Sequence, residues 1–498
     1  MKPRSSLDMT MTLETQTAAG YRGTDRLLYG IIFGVLAFWL FAQTTLNIGP
    51  TMASDLKIET SVMNIAISIT ALFSGIFIVV IGGLADRVGR VKIVQWGFAL
   101  NIAGSLLVGL APAGALASTF LMLGRICQGL SGAFIMPASL ALVTAYWDGA
   151  GRQRAISLWS IGSWGGSGFA ALFGGLMAQN VGWRWIFFGS AGLSLIGMLM
   201  VRGTPESRAR EKGNYHFDTK GILTFMVAMV ALEVLATQGS TLGWSSPATL
   251  GLLAITVVFG VMFLRTESGN PDAFVDFKLF GNMVYTGATL SNLLLNGVAG
   301  ILIVSMTLVQ RGGSMTAQQA GMLTLGYAIS IVVFIRVGEK LLQHFGPRKP
   351  MIWGSLIVGA SILLLMQTQV MLGTYEIFAI VAYTLFGIGL AFYATPSTDA
   401  ALASLPADQT GSGAGIYKMA SSLGASFGVA VSAAVFTTLS ADGAAPGWIE
   451  GVITYLGRQD NLAVREAALF ALGVNLLMVV AAIISIVLTV PKGKLSRQ

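Results

Sequence analysis

About fourteen stretches of roughly 20 mostly apolar residues run the length of this 498-residue chain, at 27–48, 61–82, 93–112, 116–142, 155–178, 184–201, 220–239, 246–264, 283–309, 319–338, 350–369, 374–396, 412–437 and 466–490. Each is long enough to cross the ~30 Å hydrocarbon core of a bilayer as an α-helix. A backbone in hydrocarbon must satisfy its own N–H and C=O groups, so open stretches of this kind fold as helices. Composition agrees, with 54% of residues hydrophobic and 10% charged, where a soluble domain carries roughly 25% charge. Such a chain has too little polar surface to cover itself in water. No connection is long enough to be a separate soluble domain. The expectation is an all-α polytopic membrane protein with 14 transmembrane helices.

An even number of spans puts both termini on one side. Of the 30 Lys and Arg, 22 fall in the tails and connections of that side and 5 in the other connections. Arg125, Arg336 and Lys418 lie within or at the edge of spans. Basic residues are retained in cytoplasmic loops, so both termini are expected in the cytoplasm, with the chain multi-pass in a cell membrane. One missed helix would scramble the bias, so the bias supports the count. The net charge of +8 follows from the same rule, and no nucleic-acid partner is expected. The first 26 residues lack the basic–apolar–small order of a cleaved signal. One cysteine, Cys127, and two histidines, His216 and His344, allow no disulfide within the chain and no zinc set. Neither metal nor cofactor is expected. No G-x-x-x-x-G-K-[ST] or H-E-x-x-H string occurs, which argues against an ATP-driven pump and against an enzyme.

The connection after the second span reads GGLADRVGRVK (Gly82–Lys92), and that after the tenth reads EKLLQHFGPRK (Glu339–Lys349). Both end in a glycine followed by basic residues, eight spans apart. This weak repeat divides the chain into a tail (1–26), a six-helix half (27–201), a cytoplasmic loop (202–219), an extra helix pair (220–264), a second six-helix half (283–490) and a tail (491–498). The second half carries an external loop (438–465), whose apolar stretch from Trp448 to Leu456 suits a membrane interface. Secondary transporters are commonly built from repeats, with substrate held near the midplane between them.

Charges inside spans are costly and mark function. Arg125 shares a helical face with Gln128 and Gly129. It reads as a proton-coupling residue, or as an interhelix hydrogen-bonding post. Glu233 is the only carboxylate deep within an expected span. It suits proton binding and release, or a structural bond to a neighbour such as Thr237. Asp399, after Pro396, suits proton binding or gating, or a helix cap. Trp39, Gln43 and Asn47 recur every four residues on the first span, and Asn292 and Asn296 do so on the ninth. Polar faces at matching positions suit a cavity for an amphipathic aromatic substrate, to which Tyr393, Trp159 and Trp164 would add. The bland alternatives are helix–helix hydrogen bonds and interface anchoring. Gly162, Gly165, Gly166, Gly168, Gly174 and Gly175 crowd the fifth span, as close helix packing requires.

Gly82–Lys92 resembles the signature loop of the major facilitator superfamily, and LMLGRICQG (Leu121–Gly129) resembles that superfamily's motif with an intramembrane arginine. The fourteen spans and WRWIF (Trp183–Phe187) are similar to its fourteen-helix drug:proton antiporter branch. FWLFAQ (Phe38–Gln43), SIGSWGGSG (Ser160–Gly168), YTGATLSN (Tyr285–Asn292), YATPSTD (Tyr393–Asp399) and GIYKMASSLG (Gly415–Gly424) resemble the Nor-type quinolone efflux pumps. The resemblance implies two six-helix halves plus an extra pair. It implies a monomeric, proton-driven antiporter that exports amphipathic drugs, such as quinolones or dyes, by alternating access. An exporter of an endogenous metabolite or lipid-like compound on the same fold is the alternative. It also implies a gate made by Asp86, Arg87, Gly89 and Arg90. The chain departs from the branch at Ala42, five residues before Asn47-Ile48, where many such pumps carry an acid.

Overall fold

The computed structural model describes residues 21–208, 218–270, 273, 275, 277–315, 317–407, 409–440 and 461–493. Among these every regular element is helical. Most of the expected external loop, including Trp448–Leu456, lies outside the described residues, as do most of both tails and 209–217.

Two compact units form. The first takes residues 1–216 together with the short segment Leu405–Ile416, and the second takes Phe217–Ser404 and Tyr417–Gln498. In the first unit, α1 (Asp25–Leu36) runs through a π turn (Ala37–Phe41) and a 3-10 turn (Ala42–Thr44) into α2 (Thr45–Leu56). There follow α3 (Thr60–Val88), α4 (Arg90–Gly109) and α5 (Ala117–Tyr146). Next come α6 (Gly149–Ser160), a second π turn (Ile161–Gly165), α7 (Gly166–Asn180) and α8 (Arg184–Val201). The second unit holds α9 (Thr219–Leu242), α10 (Pro247–Glu267), α11 (Met283–Gly297), α12 (Gly300–Gly313), α13 (Ala317–Leu323), α14 (Leu325–Phe345), α15 (Arg348–Leu365), α16 (Leu372–Ala403) and α18 (Leu462–Thr489). Helix α17 (Thr410–Ser440) begins in the first unit and continues in the second.

Twelve helices among the described residues are long and apolar enough to cross a membrane. They coincide with twelve of the fourteen stretches picked out by hydropathy. The other two stretches are helical as well: 155–178 falls on the α6–π–α7 run and 220–239 on α9. Helix starts follow local chemistry. Thr24, Asp218, Ser246 and Asn282 each accept a first-turn N–H, for α1, α9, α10 and α11 respectively. Each such bond satisfies a donor that hydrocarbon would otherwise leave bare.

Side chains tie the ends of the first unit together. At one end Tyr146 OH donates to the Pro205 carbonyl at 2.5 Å, and Gly23 N–H to the Tyr146 carbonyl at 2.9 Å. At the other, Arg184 and Trp183 donate to Asp55, and Arg184 also reaches the Ala111 carbonyl at 3.1 Å. The α6–π–α7 run therefore leads from one end of the unit to the other.

The same packing device appears in both units. A Cβ on Gly104 (α4) would lie 2.7 Å from the Gly124 carbonyl (α5), and one on Gly124 2.8 Å from that of Gly104. A Cβ on Gly354 (α15) would lie 2.5 Å from the Gly389 carbonyl (α16), and the reverse distance is 2.6 Å. Each pair brings two backbones into contact, the close approach that stabilises helix pairs in lipid. The repeat read weakly from loops thus extends to the helices that follow them. Only 11% of the apolar window of α10 is buried, so this helix is peripheral to its unit.

Candidate functional site

Arg125 is 2% exposed, on α5. Its Nε donates to the Ala66 carbonyl at 3.1 Å, and its Nη1 to the Ala42 carbonyl at 2.9 Å and to Gln128 Oε1 at 2.8 Å. Thr70 Oγ1 donates to the carbonyl of Arg125 itself at 3.1 Å. The guanidinium has no carboxylate partner among the described residues. The first span explains how neutral oxygens reach it. Where π geometry gives way to 3-10, the regular backbone ladder is interrupted. The Ala42 carbonyl at that junction accepts from both Arg125 and Thr45 Oγ1, the latter at 2.8 Å. From Gln128 the network continues: Gln128 Nε2 donates to Ser105 Oγ at 3.1 Å, and Ser105 Oγ to Ser190 Oγ at 3.2 Å. Asn101 Nδ2 donates to Ser190 and Ser194 at 3.0 and 2.7 Å. A buried polar chain thus crosses from α5 through α4 to α8. Its members Asn101, Ser105, Ser190 and Ser194 were not singled out from sequence, since isolated serines in spans usually bond their own helix.

The same irregularity runs through the face expected from Trp39, Gln43 and Asn47. Trp39 lies in the π turn, Gln43 in the 3-10 turn and Asn47 in α2. The four-residue spacing assumed a regular helix, which the segment is not. Trp39 Nε1 is buried without a hydrogen-bond partner among the described residues. Gln43 is half-buried, and the Asn47 side chain lies outside the described residues. The second π turn, at Ile161–Gly165, packs against the first, and Gly166 lets α7 approach Trp39 and Leu40. Trp159 is fully buried and donates to Ser139 Oγ at 2.9 Å.

The loop residues Asp86, Gly89 and Arg90 come together, while Arg87 is exposed. Arg90 donates twice to Asp86 Oδ1, at 3.0 and 2.7 Å, with both side chains buried. Asp86 also accepts the Gly411 and Ser412 N–H groups at 3.1 and 3.0 Å, in the first turn of α17, where the helix dipole favours an anion. Arg90 Nη2 reaches the Ala407 carbonyl at 2.7 Å. Sequence reading missed Glu206. Its carboxylate accepts the Val91 and Lys92 N–H groups at 2.8 and 3.1 Å and so caps α4. Gly89 has φ +124°, and a Cβ there would lie 2.4 Å from the Glu206 carboxyl carbon. Ser207 joins in, its carbonyl accepting Arg90 N–H at 2.9 Å and its Oγ accepting Arg90 Nη1 at 3.2 Å. The available signal was an acid in a loop where topology favours base, the same signal that picked out Asp86.

In the second unit, Asn292 and Asn296 do share a face. Asn296 Nδ2 donates to Asn292 Oδ1 at 2.9 Å, and Asn292 Nδ2 donates to the Tyr417 carbonyl at 2.9 Å and Ser421 Oγ at 2.6 Å. Tyr393 is buried, and its hydroxyl bonds Ser291 Oγ at 2.7 Å and accepts from Ser397 Oγ at 3.0 Å. Tyr417 OH donates to Ser397 Oγ at 2.9 Å, extending a hydroxyl network over α11, α16 and α17. Glu233 is buried, and its Oε1 accepts from Ser426 Oγ of α17 at 3.1 Å. The Thr237 side chain considered as its partner lies outside the described residues. Through Glu233, α9 is bonded to α17 within the second unit. Asp399 is buried in α16, one turn before its end. No cluster of three or more His, Cys, Asp or Glu able to hold a metal occurs among the described residues.

The family model of the Major Facilitator Superfamily matches residues 31–309 and 285–498. Quinolone resistance protein NorB of Staphylococcus aureus strain MRSA252 is 47% identical over 430 residues, covering 86% of this chain and 92% of the relative. The protein of the same name from strain N315 gives the same identity and coverage. Among solved structures, the proton:xylose symporter XylE bound to 6-bromo-6-deoxy-D-glucose superposes with a TM-score of 0.62 at 15% identity, covering 94% of this chain and 96% of that one. The last likeness concerns the fold.

Proposed function

The chain belongs to the major facilitator superfamily and is a multi-pass membrane transporter, and we propose that it is a proton-coupled antiporter that exports quinolones and other amphipathic aromatic compounds by alternating access. The carrying observation is the 47% identity to a quinolone resistance protein over 86% of the chain. In this reading α6–π–α7 and α9 also span, completing fourteen helices, with both termini in the cytoplasm of a bacterial cell. The crossing of α6–π–α7 from one end of its unit to the other supports the first of these.

Arg125, Glu233 and Asp399 couple transport to protons. Glu233 binds the proton, supported by its burial with the Ser426 hydroxyl donating to it. Arg125 biases that half of the cycle through neutral oxygens rather than a fixed ion pair, so its charge is free to respond to substrate or proton. Trp39, Gln43, Asn47, Asn292, Asn296 and Tyr393 provide the polar and aromatic contacts for substrate. Gln43, half-buried with no side-chain bond to a described residue, is the readiest donor. Asp86, Arg87, Gly89 and Arg90 gate the cytoplasmic side, supported by the buried Asp86–Arg90 pair on the first turn of α17. Each charge moved across 100 mV supplies about 2.3 kcal/mol, so one or two protons drive substantial export.

Transport in proteoliposomes under an imposed pH gradient tests the reading. The wild type is expected to move norfloxacin or ethidium only with the gradient present. Glu233→Gln should lose gradient-driven movement while retaining equilibrium exchange. Failure of the wild type to move either compound would refute drug export. Normal pH dependence in Glu233→Gln would remove that residue from the coupling.

A further inference from the structure

One face of α14 joins an exposed aliphatic stretch to a run of basic residues. Met322, just before it, and Ile329, Val333 and Val337 are 60%, 52%, 59% and 37% exposed. The Arg336 side chain is 40% exposed, and Lys340 and His344 are exposed. At 100° per residue these positions fall in a stripe about 100° wide. The opposite face, with Ala328, Ile331, Ile335, Gly338 and Leu342, is buried. The stripe is sorted along its length. Its first part is aliphatic, and its last turns carry Arg336, Lys340 and His344 over about 12 Å.

The basic part is built rather than merely present. Glu339, 4% exposed, pairs with Arg336 Nη1 and accepts from Gln343 Nε2 at 3.1 Å. The buried acid thereby fixes the direction of the guanidinium, whose remaining edge stays open. Neither Lys340 nor His344 has an ion-pair partner among the described residues. Beyond His344 the surface continues as an aromatic cluster. The His344 and Trp353 rings meet Phe345 edge-on at 4.5 and 5.2 Å, and Lys349 Nζ lies 5.2 Å from the Phe345 ring centre. Helix α10 shows the contrast. Its exposed face of Leu250, Leu253, Val257, Val261 and Leu264 ends with the single cation Arg265.

We propose that this stripe of α14 is a binding site for an anionic phospholipid, with the phosphate held by Arg336, Lys340 and His344 and an acyl chain lying along Val337, Val333 and Ile329. Charge complementarity selects the occupant: fixed and unpaired cations at one end, aliphatic surface at the other, in the order in which a lipid presents its headgroup and chains. Cations near an anionic leaflet each favour binding by about fivefold. The readout is lipid binding itself, so it stands apart from whether the transporter moves drugs.

Native mass spectrometry of the purified full chain, released from micelles holding equal amounts of phosphatidylglycerol and phosphatidylcholine, tests this. Wild type should retain phosphatidylglycerol preferentially. Lys340→Gln/His344→Gln, which leaves the Arg336–Glu339 pair intact, should lower that preference by at least about fivefold, the worth of the one lysine. The triple variant with Arg336→Gln should lower it further. Lys220→Gln/Arg265→Gln, a larger charge loss at the ends of α9 and α10, should not change it. Unchanged preference in the stripe variants, or an equal loss in the control, overturns the proposal. So does a wild-type dimer that the stripe variants abolish, since a second copy would then cover this face.

Discussion

Arg125 brings a full charge into α5 and meets three neutral oxygens. A guanidinium can reach several acceptors at once because its donors form a rigid fork, whereas an ammonium is a point charge. Arg125→Lys is therefore expected to fold, to lose about 1–3 kcal/mol in thermal or denaturant unfolding, and to transport roughly tenfold slower or worse. Wild-type rates in the lysine variant would show that charge alone suffices and that the fork is incidental. The arginine was legible in sequence as an intramembrane charge. Its partners were not, because two of the three are backbone carbonyls, which no side-chain pattern encodes, and one sits in a π-to-3-10 junction. The expected polar face of the first span crosses the same junction, and the Asn47 side chain lies outside the described residues. A spacing of four residues implies one face only while the ladder is regular. Asn292 and Asn296, on the regular helix α11, share the face that spacing required.

Helix ends carry most of the charged contacts. Between α3 and α4, Gly89 meets two demands at once: a φ of +124° and room for the Glu206 carboxylate. Gly89→Ala should cost about 1–3 kcal/mol and Glu206→Ala about 1 kcal/mol, as for loss of a cap. Because the clash in the first variant is with the side chain removed by the second, the double variant should cost less than the sum. Strict additivity in unfolding free energies would mean that the two residues do not meet. At the opposite end of the unit, Asp55 joins α2 to α8. The hydrogen bond from Arg184, with a second from Trp183 Nε1 at 2.9 Å, holds its carboxyl below its ordinary value of 3.8. A depressed folded-state value contributes stability that is complete above the ordinary value and lost as pH falls through the lowered one. Asp55→Asn should therefore cost the same at pH 7 and pH 5, and its cost should vanish as pH drops below 3.8. The side chain is half-exposed, so the cost stays under about 1 kcal/mol. A cost that already declines between pH 7 and 5 would contradict this assignment. The helices themselves were legible as lengths of apolar sequence. Glu206 was not, since its partners lie more than a hundred residues away and only the folded unit brings the two loops together.

At the scale of the whole molecule, hydrophobic length and the placement of basic residues both point to fourteen crossings, while twelve helices meet the strict criterion of length and apolarity. Either count leaves both termini on one side, so the ends of the chain cannot distinguish them. The connection after α8 can. If neither α6–π–α7 nor α9 crosses, residues 202–208 lie outside. The Glu206 bonds argue otherwise, because Val91 and Lys92 lie in the first turn of α4, directly after α3, and that end is basic. In a Cys127→Ser background, Arg208→Cys, Thr10→Cys and Ser496→Cys are each expected to resist a membrane-impermeant maleimide in intact cells and to react after lysis. Lys57→Cys and Trp244→Cys should react in intact cells, the latter because α9 and α10 form a hairpin whose turn then faces outward. Labelling of Arg208→Cys from outside, with Trp244→Cys unchanged, would mean that the glycine-rich α6–π–α7 run stays within one leaflet. The wet end of Glu206 and the gate beside it would then lie on opposite sides of the bilayer, a separation that direct hydrogen bonds of 2.8 and 3.1 Å do not permit.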